Sequence, residues 1–268
     1  MLEEGLQVDK TNVEVYLTLD GVLSALGASA SERANALGRF PAAENSTPAS
    51  LTFKSAIALA EAGDGAKAER LFHDRFFPRE EGGTSVRTMY AQVRLITARL
   101  ASTSAKCDAA RQILDSLARE QPGLPFTTGG LEDVIASPVL SSQVADVESV
   151  CGRSESARAR WERLARPLQN DGAPLTLAMA DTAARRLGRP RTAAERARLE
   201  RALEGATATL ESAGTSSPGL IEYARGSLLA ALGRKQVAQD SLRRVFTYPD
   251  RGLSHVLGRA ALRGLGHI

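Results

Sequence analysis

Residues 226–242 read GSLLAALGRKQVAQDSL. A small residue, Gly226, is followed seven positions later by Gly233, five later by Ala238 and four later by Leu242. The same spacing recurs in AIALAEAGDGAKAERLF (Ala56, Gly63, Ala68, Phe72), in ARLASTSAKCDAARQIL (Ala98, Ala105, Ala110, Leu114) and in ADVESVCGRSESARARW (Ala145, Gly152, Ala157, Trp161). The spacing predicts a helical hairpin. The first small residue lets a second helix approach closely, and the middle glycine ends the first helix in a left-handed residue, which only glycine adopts at little cost. The alanine of the second helix then faces the first small residue, and the large side chain one turn on fills the space beside it. Pro78, Pro122, Pro167 and Pro249 follow the second helices, which they cannot continue.

A degenerate copy, RRLGRPRTAA, adds Gly188, so the middle positions 63, 105, 152, 188 and 233 are separated by 42, 47, 36 and 45 residues. An irregular first unit has Gly27 but no alanine five later. Composition agrees with helices packed through small residues. Of the 268 residues, 43% are hydrophobic, 24% charged and only 4% aromatic, which suits alanine and leucine packing and fits a β-sandwich poorly. The fold expected is all-α: a right-handed superhelical solenoid of about five to six helical hairpins over residues 1–268.

This arrangement resembles the tetratricopeptide repeat, carried by Gly226, Gly233, Ala238 and the trailing Pro249, although its intervals exceed the ~34 residues of that repeat. A narrower resemblance rests on NVEVYL, ALAEAG, FFPREEGGTSVR, PGLPFT, VCGRSESARARWER, GTSSPGLIEYARG and YPDRGLSH. These stretches look like the helical C-terminal part of large bacterial multidomain proteins, in which an uncharacterised β-sandwich domain, implied to handle carbohydrate, precedes tetratricopeptide-like repeats. The resemblance implies a scaffold attached to a sugar-active domain and carries over no catalytic residue. LEEGLQVDKTN, with Leu2 and Leu6 four apart, reads as the end of a second helix whose first helix would lie upstream. The chain is accordingly expected to be a C-terminal fragment, with an apolar outward face on the hairpin around Val13–Gly27 only partly covered by residues 2–8; the alternative is a short N-terminal capping helix, for which that face would be polar.

No apolar run approaches the ~20 residues of a membrane-spanning helix. The acidic start Met1-Leu2-Glu3-Glu4 lacks the apolar stretch of a secretory signal, so a cytoplasmic location is expected. Charge is divided unevenly. Residues 1–150 hold 14 basic and 20 acidic side chains, and residues 151–268 hold 20 basic and 11 acidic. The densest basic stretch, RRLGRPRTAAERARLER at 185–201, has no aromatic and no reader motif, and interleaved Glu195 and Glu200 suit a solvated helix face better than nucleic acid. Cys107 and Cys151, far apart in sequence, read as two small buried hydrophobes rather than a disulfide framework. With the scattered His73, His255 and His267 they give no metal-ligand spacing, and no cofactor is expected.

Loops hold the candidate binding residues. FPREEGGTSVR (77–87) has a helix-stopping Pro78, Gly82 and Gly83 for positive φ, and Thr84 or Ser85 to cap the next helix. Phe72, Phe76 and Phe77 are expected in the core. Arg79, Glu80 and Glu81 are left without a structural role. PREEGG (78–83) and PFTTGG (125–130) share a proline, three residues and two glycines, and the second contributes Thr127 and Thr128. Equivalent connections of successive repeats fall on one edge of a solenoid, so the two loops are expected side by side. Asp250 and Arg251, near His255 in YPDRGLSH, complete the candidates. GTSSPG (214–219) lacks the strand and the His–Asp partners of a serine-nucleophile elbow, and adjacent Glu80 and Glu81 cannot straddle a sugar. The function expected is a non-catalytic scaffold binding a protein partner or an upstream domain of the same polypeptide. The alternative is an accessory part of a carbohydrate-active enzyme whose elbow loops contribute to a substrate pocket.

Overall fold

The computed structural model describes residues 9–41, 47–77, 85–212, 217–248 and 253–266; among them there is no β-strand and most are helical. Contacts divide the chain into two compact units, Met1–Arg153 and Ser154–Ile268. The division falls three residues from the boundary between the acidic and basic halves of the sequence.

In the first unit α1 (Val13–Ala25) pairs with α2 (Ala30–Leu37), α3 (Ala49–Glu61) with α4 (Gly65–Arg70), and α5 (Val86–Thr103) with α6 (Cys107–Leu117). The short α7 (Glu132–Ile135) and α8 (Pro138–Val150) complete it. First helices also touch in sequence: α3 packs on α1 and α5, and α5 packs on α8. In the second unit α9 (Ser154–Ala165) packs on α10 (Pro174–Arg186), α10 on α11 (Ala193–Glu211), and α12 (Pro218–Ala231) on α13 (Lys235–Arg244). There α10, α12 and α14 (Leu253–Gly264) form the succession of first helices.

One turn is repeated throughout. Gly27, Gly63, Gly152, Gly188 and Gly233 have φ of 77°, 91°, 80°, 66° and 82°. In each case the following amide donates back five residues: Ala28 to Leu23, Asp64 to Leu59, Arg153 to Glu148, Arg189 to Ala184 and Arg234 to Leu229, all at 2.8–3.0 Å. This bond satisfies a carbonyl that the helix end would otherwise leave without a partner. Ala105 occupies the same position with φ 57°, and Lys106 donates to Ala101 at 2.9 Å. An L-residue is strained there by about 1–2 kcal/mol, so the turn is imposed on Ala105 by its surroundings.

Three of the four small-residue pairs lie on packed helix pairs, as the spacing predicts. Ala56 with Ala68, and Ala98 with Ala110, are fully buried members of packed helix pairs. A Cβ on Gly226 would fall 2.7 Å from Leu242 Cγ and 3.3 Å from the Ala238 carbonyl, so α12 and α13 meet at backbone distance. Ala145 and Ala157, the remaining pair, stand in different units, and each is fully buried in its own. The two hairpins that lack the small-residue pair carry an aspartate instead. Asp20 and Asp181 lie seven residues before Gly27 and Gly188, and both are completely buried. Asp20 accepts from Arg33 Nε at 2.7 Å and sits 3.6 Å from Lys54 Nζ, while Arg33 also reaches Glu61 at 2.8 Å. Asp181 is held by Arg191 through two bonds and by Arg185 at 3.0 Å.

Two expectations are corrected. The cysteines are bonded to each other, Cys107–Cys151, across 44 residues, because the start of α6 and the end of α8 meet at neighbouring hairpin turns. Closing a loop of that length stabilises by about 4 kcal/mol in the chain-entropy account. Phe76 is not in the core: α4 stops at Arg70, a turn containing Asp74 at φ 51° follows, and Phe76 emerges 85% exposed while Phe72 is buried. On α1 and its cap, Val22 and Leu26 are 40% and 78% exposed, an apolar surface on the first hairpin. Leu2 and Leu6 lie outside the described residues.

Three substitutions test this account by urea denaturation. Ala105→Gly relieves the left-handed strain and stabilises by about 1 kcal/mol. Ala238→Phe overpacks the close approach and destabilises by roughly 1–3 kcal/mol. Asp20→Ala leaves Arg33 and Lys54 without their shared carboxylate and destabilises by about 3–5 kcal/mol. Unchanged midpoints for the last two would contradict the packing described.

Candidate functional site

The chain's aromatic residues are few, and five of them gather where α4 and α6 hand over to the segments that follow. Phe53 of α3 stacks on Phe72 and Phe77 with ring centroids 6.2 and 5.6 Å apart. Tyr90 of α5 meets Phe72 and Phe126 edge-on at 5.4 and 5.5 Å. Phe77 meets Phe126 at 6.1 Å. The Arg75 guanidinium stands 5.2 Å over the Phe77 ring, a cation–π contact. The Tyr90 hydroxyl donates to Glu69 at 2.9 Å, and Arg94 pairs with the same carboxylate and donates to Ser116 at 2.9 Å. Burial, reinforced by the Glu69 charge and opposed by Arg94, pushes the Tyr90 phenol well above its ordinary value.

The second elbow, from Gln121 to Asp133, is held by its own polar groups. Thr127 is fully buried; its hydroxyl donates to the Leu124 carbonyl at 2.7 Å and accepts from the Gln121 amide at 2.9 Å. Thr128 is exposed and donates to the Pro125 carbonyl at 2.9 Å. Gly129 and Gly130 have φ of 77° and 78°, as the loop reading expects. Gly130 is also a packing requirement, since a Cβ there would fall 2.6 Å from the Ala118 carbonyl oxygen.

Both ends of the first elbow are fastened to the second. Phe77 packs on Phe126 before it, and after it Arg87 donates from Nη2 to the Gly130 carbonyl and to Asp133, each at 2.8 Å. Residues 78–84, and with them Arg79, Glu80, Glu81, Gly82, Gly83 and Thr84, lie outside the described residues. Ser85 stands at the N-cap position of α5 without a side-chain capping bond. Of the two candidates among the described residues, Thr128 is exposed, whereas Thr127 is engaged within its own turn. Sequence reasoning missed the aromatic cluster and exposed Phe76, because the ring contacts join segments whose separation no periodicity encodes.

Asp250 and Arg251 also lie outside the described residues, and nearby His255 is buried with its ring edge-on to Phe246 at 5.3 Å. In the second unit a groove of about 530 Å³ is lined by Arg191, Thr192, Ala193, Arg196, Leu232 and Gly233. Its charges are already matched. Arg191 is bonded to Asp181, Arg196 lies 3.5 Å from Glu200, and Thr192 and Glu195 close the head of α11 with a reciprocal capping box. Among the described residues no group of His, Cys, Asp and Glu side chains is arranged to hold a metal ion, and no helix is long and apolar enough to cross a membrane. Compared with protein-family models, curated proteins and solved structures, the chain gives no significant match to any of the three.

The aromatic cluster carries its own tests. Phe126→Ala destabilises by roughly 2–4 kcal/mol, since it unpacks Phe77 and Tyr90 together. Because the fold favours the neutral Tyr90 phenol, that stabilisation is complete below the ordinary phenol value of 10.0 and is lost as pH rises through the raised one. An alkaline titration followed by phenolate absorbance and circular dichroism should therefore show Tyr90 ionising last, after Tyr16 and Tyr248 whose phenols burial also raises, and only as helical signal disappears. Tyr90→Phe should remove that late step.

Proposed function

We propose that the chain is a non-catalytic helical-repeat scaffold: a tetratricopeptide-like, right-handed superhelical array that binds a protein partner or an upstream domain of the same polypeptide. The observation that supports it best is the fastening of both ends of the 78–84 segment to the 125–133 elbow. A connection that only reverses the chain needs no such anchorage. A docking edge does, because fixing the residues that flank a binding segment lowers the ordering cost of association. Phe76, exposed at the entry to this segment beside Arg75 and Phe77, is the aromatic anchor of the edge, of the residue class that dominates binding energy at protein interfaces. Thr128 is the exposed polar residue of the second elbow, and the sequence brings Arg79, Glu80 and Glu81 next along the chain, an acidic pair that selects a basic partner. The recurring left-handed turns support the array reading, since within each unit the first helix of one hairpin packs on that of the next.

A second reading, an accessory part of a carbohydrate-active enzyme, draws on the combination of an exposed aromatic with carboxylates on one loop. In it Phe76 stacks on a sugar ring, and Glu80 or Glu81 accepts from its hydroxyls.

The two readings separate experimentally. The polypeptide encoded directly upstream is co-produced with the chain, and their association is measured by sedimentation and by crosslinking from a photoreactive residue at position 76. The scaffold reading expects association that is abolished by Phe76→Ser and by combined Glu80→Lys and Glu81→Lys, with stability changed by no more than about 0.5 kcal/mol. Saturable oligosaccharide binding lost in the same variants would establish the second reading instead. Association unaffected by any of them would remove the elbows from the interface.

A further inference from the structure

We infer that Cys107–Cys151 is a reversible thiol–disulfide switch, opened at Cys107 by a dithiol reductant, that sets whether the end of α8 is covalently pinned to the head of α6. The two sulfurs differ in access. Cys151, the C-cap residue of α8, is 3% exposed, whereas Cys107 is half-buried at the first position of α6. A reductant thiolate therefore attacks Sγ of Cys107 and breaks the bridge. Cys151 departs as a thiolate that takes a proton from solvent. The reductant's second thiolate then attacks its own sulfur in the mixed disulfide, and Cys107 departs as a thiolate. The balance is two electrons: the protein disulfide becomes two thiols and the reductant dithiol becomes a disulfide.

The surroundings favour this reduced product. Cys107 lies at the head of an 11-residue helix, where the unpaired amides and the helix dipole stabilise a thiolate. Lys106 precedes it, and Arg111 lies one turn on, donating to the Cys151 carbonyl at 2.7 Å. Asp108 opposes the thiolate, but it is paired with Arg111. Stabilising the reduced thiolate makes the couple more oxidising, the behaviour of labile rather than permanent bridges.

Opening need not unfold the unit. The body of α8 remains on α5 through Gln143, which exchanges side-chain amide hydrogen bonds with Gln92 at 2.9 and 3.1 Å, and through buried Leu140 and Val144. The ends also stay near each other, since Arg153 grips Asp115 through two bonds of 2.6 and 2.8 Å. Half-exposed ion pairs are weak compared with a covalent bridge, so reduction converts a fixed helix end into a fraying one that is still placed to reoxidise.

The test uses the full chain in native buffer, equilibrated across ratios of oxidised to reduced dithiothreitol, quenched with a thiol-specific mass tag and read by intact mass. The expected result is that both cysteines become tagged together in one two-electron transition while circular dichroism is unchanged, and that the bridge re-forms on return to oxidising buffer. Amide exchange over residues 145–153 should rise about tenfold in the reduced protein, with α1–α4 unaffected. Lys106→Glu should make the bridge about two- to fivefold harder to reduce and Asp108→Asn about as much easier, from the charge effect at a helix head. The proposal is overturned if both cysteines are tagged under oxidising conditions, if the bridge opens only with loss of helical signal, if exchange at 145–153 does not change, or if neither charge variant moves the transition.

Discussion

Close approach of two helix backbones is the constraint on which the rest of this molecule depends. Helices that meet at a glycine or alanine pair can be joined by a very short connection, and a short connection must reverse within two or three residues. That reversal requires a left-handed residue at the end of the first helix. Gly63 and Gly233 take this place in hairpins with such a pair, and the same left-handed turn with its backward hydrogen bond recurs at Gly27, Gly152 and Gly188. Ala105 shows that the geometry, not the residue, is the controlling element, since an alanine is held at φ 57° in the same place. Small interior residues and left-handed turns are thus two consequences of one demand.

The same demand explains where charge can enter the core. A position facing a neighbouring backbone is too close for a large apolar side chain, but an aspartate fits if its charge is answered. Asp20 and Asp181 take this place in two hairpins, and each recruits guanidinium groups: Arg33 from α2, and Arg185 and Arg191 around the turn to α11. Such pairs add little net stability over apolar packing, because desolvation offsets attraction. Their consequence is selectivity: Arg33 bonds Asp20 and Glu61 together, so α2 has one seat against α1 and α3.

This accounts for what could be read in advance. Three hairpins with a small-residue pair, those turning at Gly63, Ala105 and Gly233, were legible, because glycine and alanine at fixed spacing report backbone proximity directly. The first and fifth turns were harder, since an Asp–Arg pair in place of two small residues looks like surface chemistry until its burial is known. Phe76 was misplaced because helical spacing runs smoothly past Arg70, whereas Asp74 takes a left-handed conformation and turns the chain outward. Thr127 looked like a ligand hydroxyl, and it closes its own turn. The disulfide was hidden for a plainer reason: a separation of 44 residues says nothing about distance unless the stacking of hairpins is already known.

Those misreadings fall between hairpins, where function is also most accessible. Inside a hairpin the close approach leaves few choices of residue, and a substitution is felt by two backbones at once. Between hairpins the chain is released from that constraint, so Phe77 can pack on Phe126, Arg87 can reach Gly130, and Cys107 can meet Cys151 without disturbing any interior pair. Each of these contacts joins one hairpin to the segment after the next turn. Side-chain contacts at the connections can therefore change while the hairpins that carry them remain as they are.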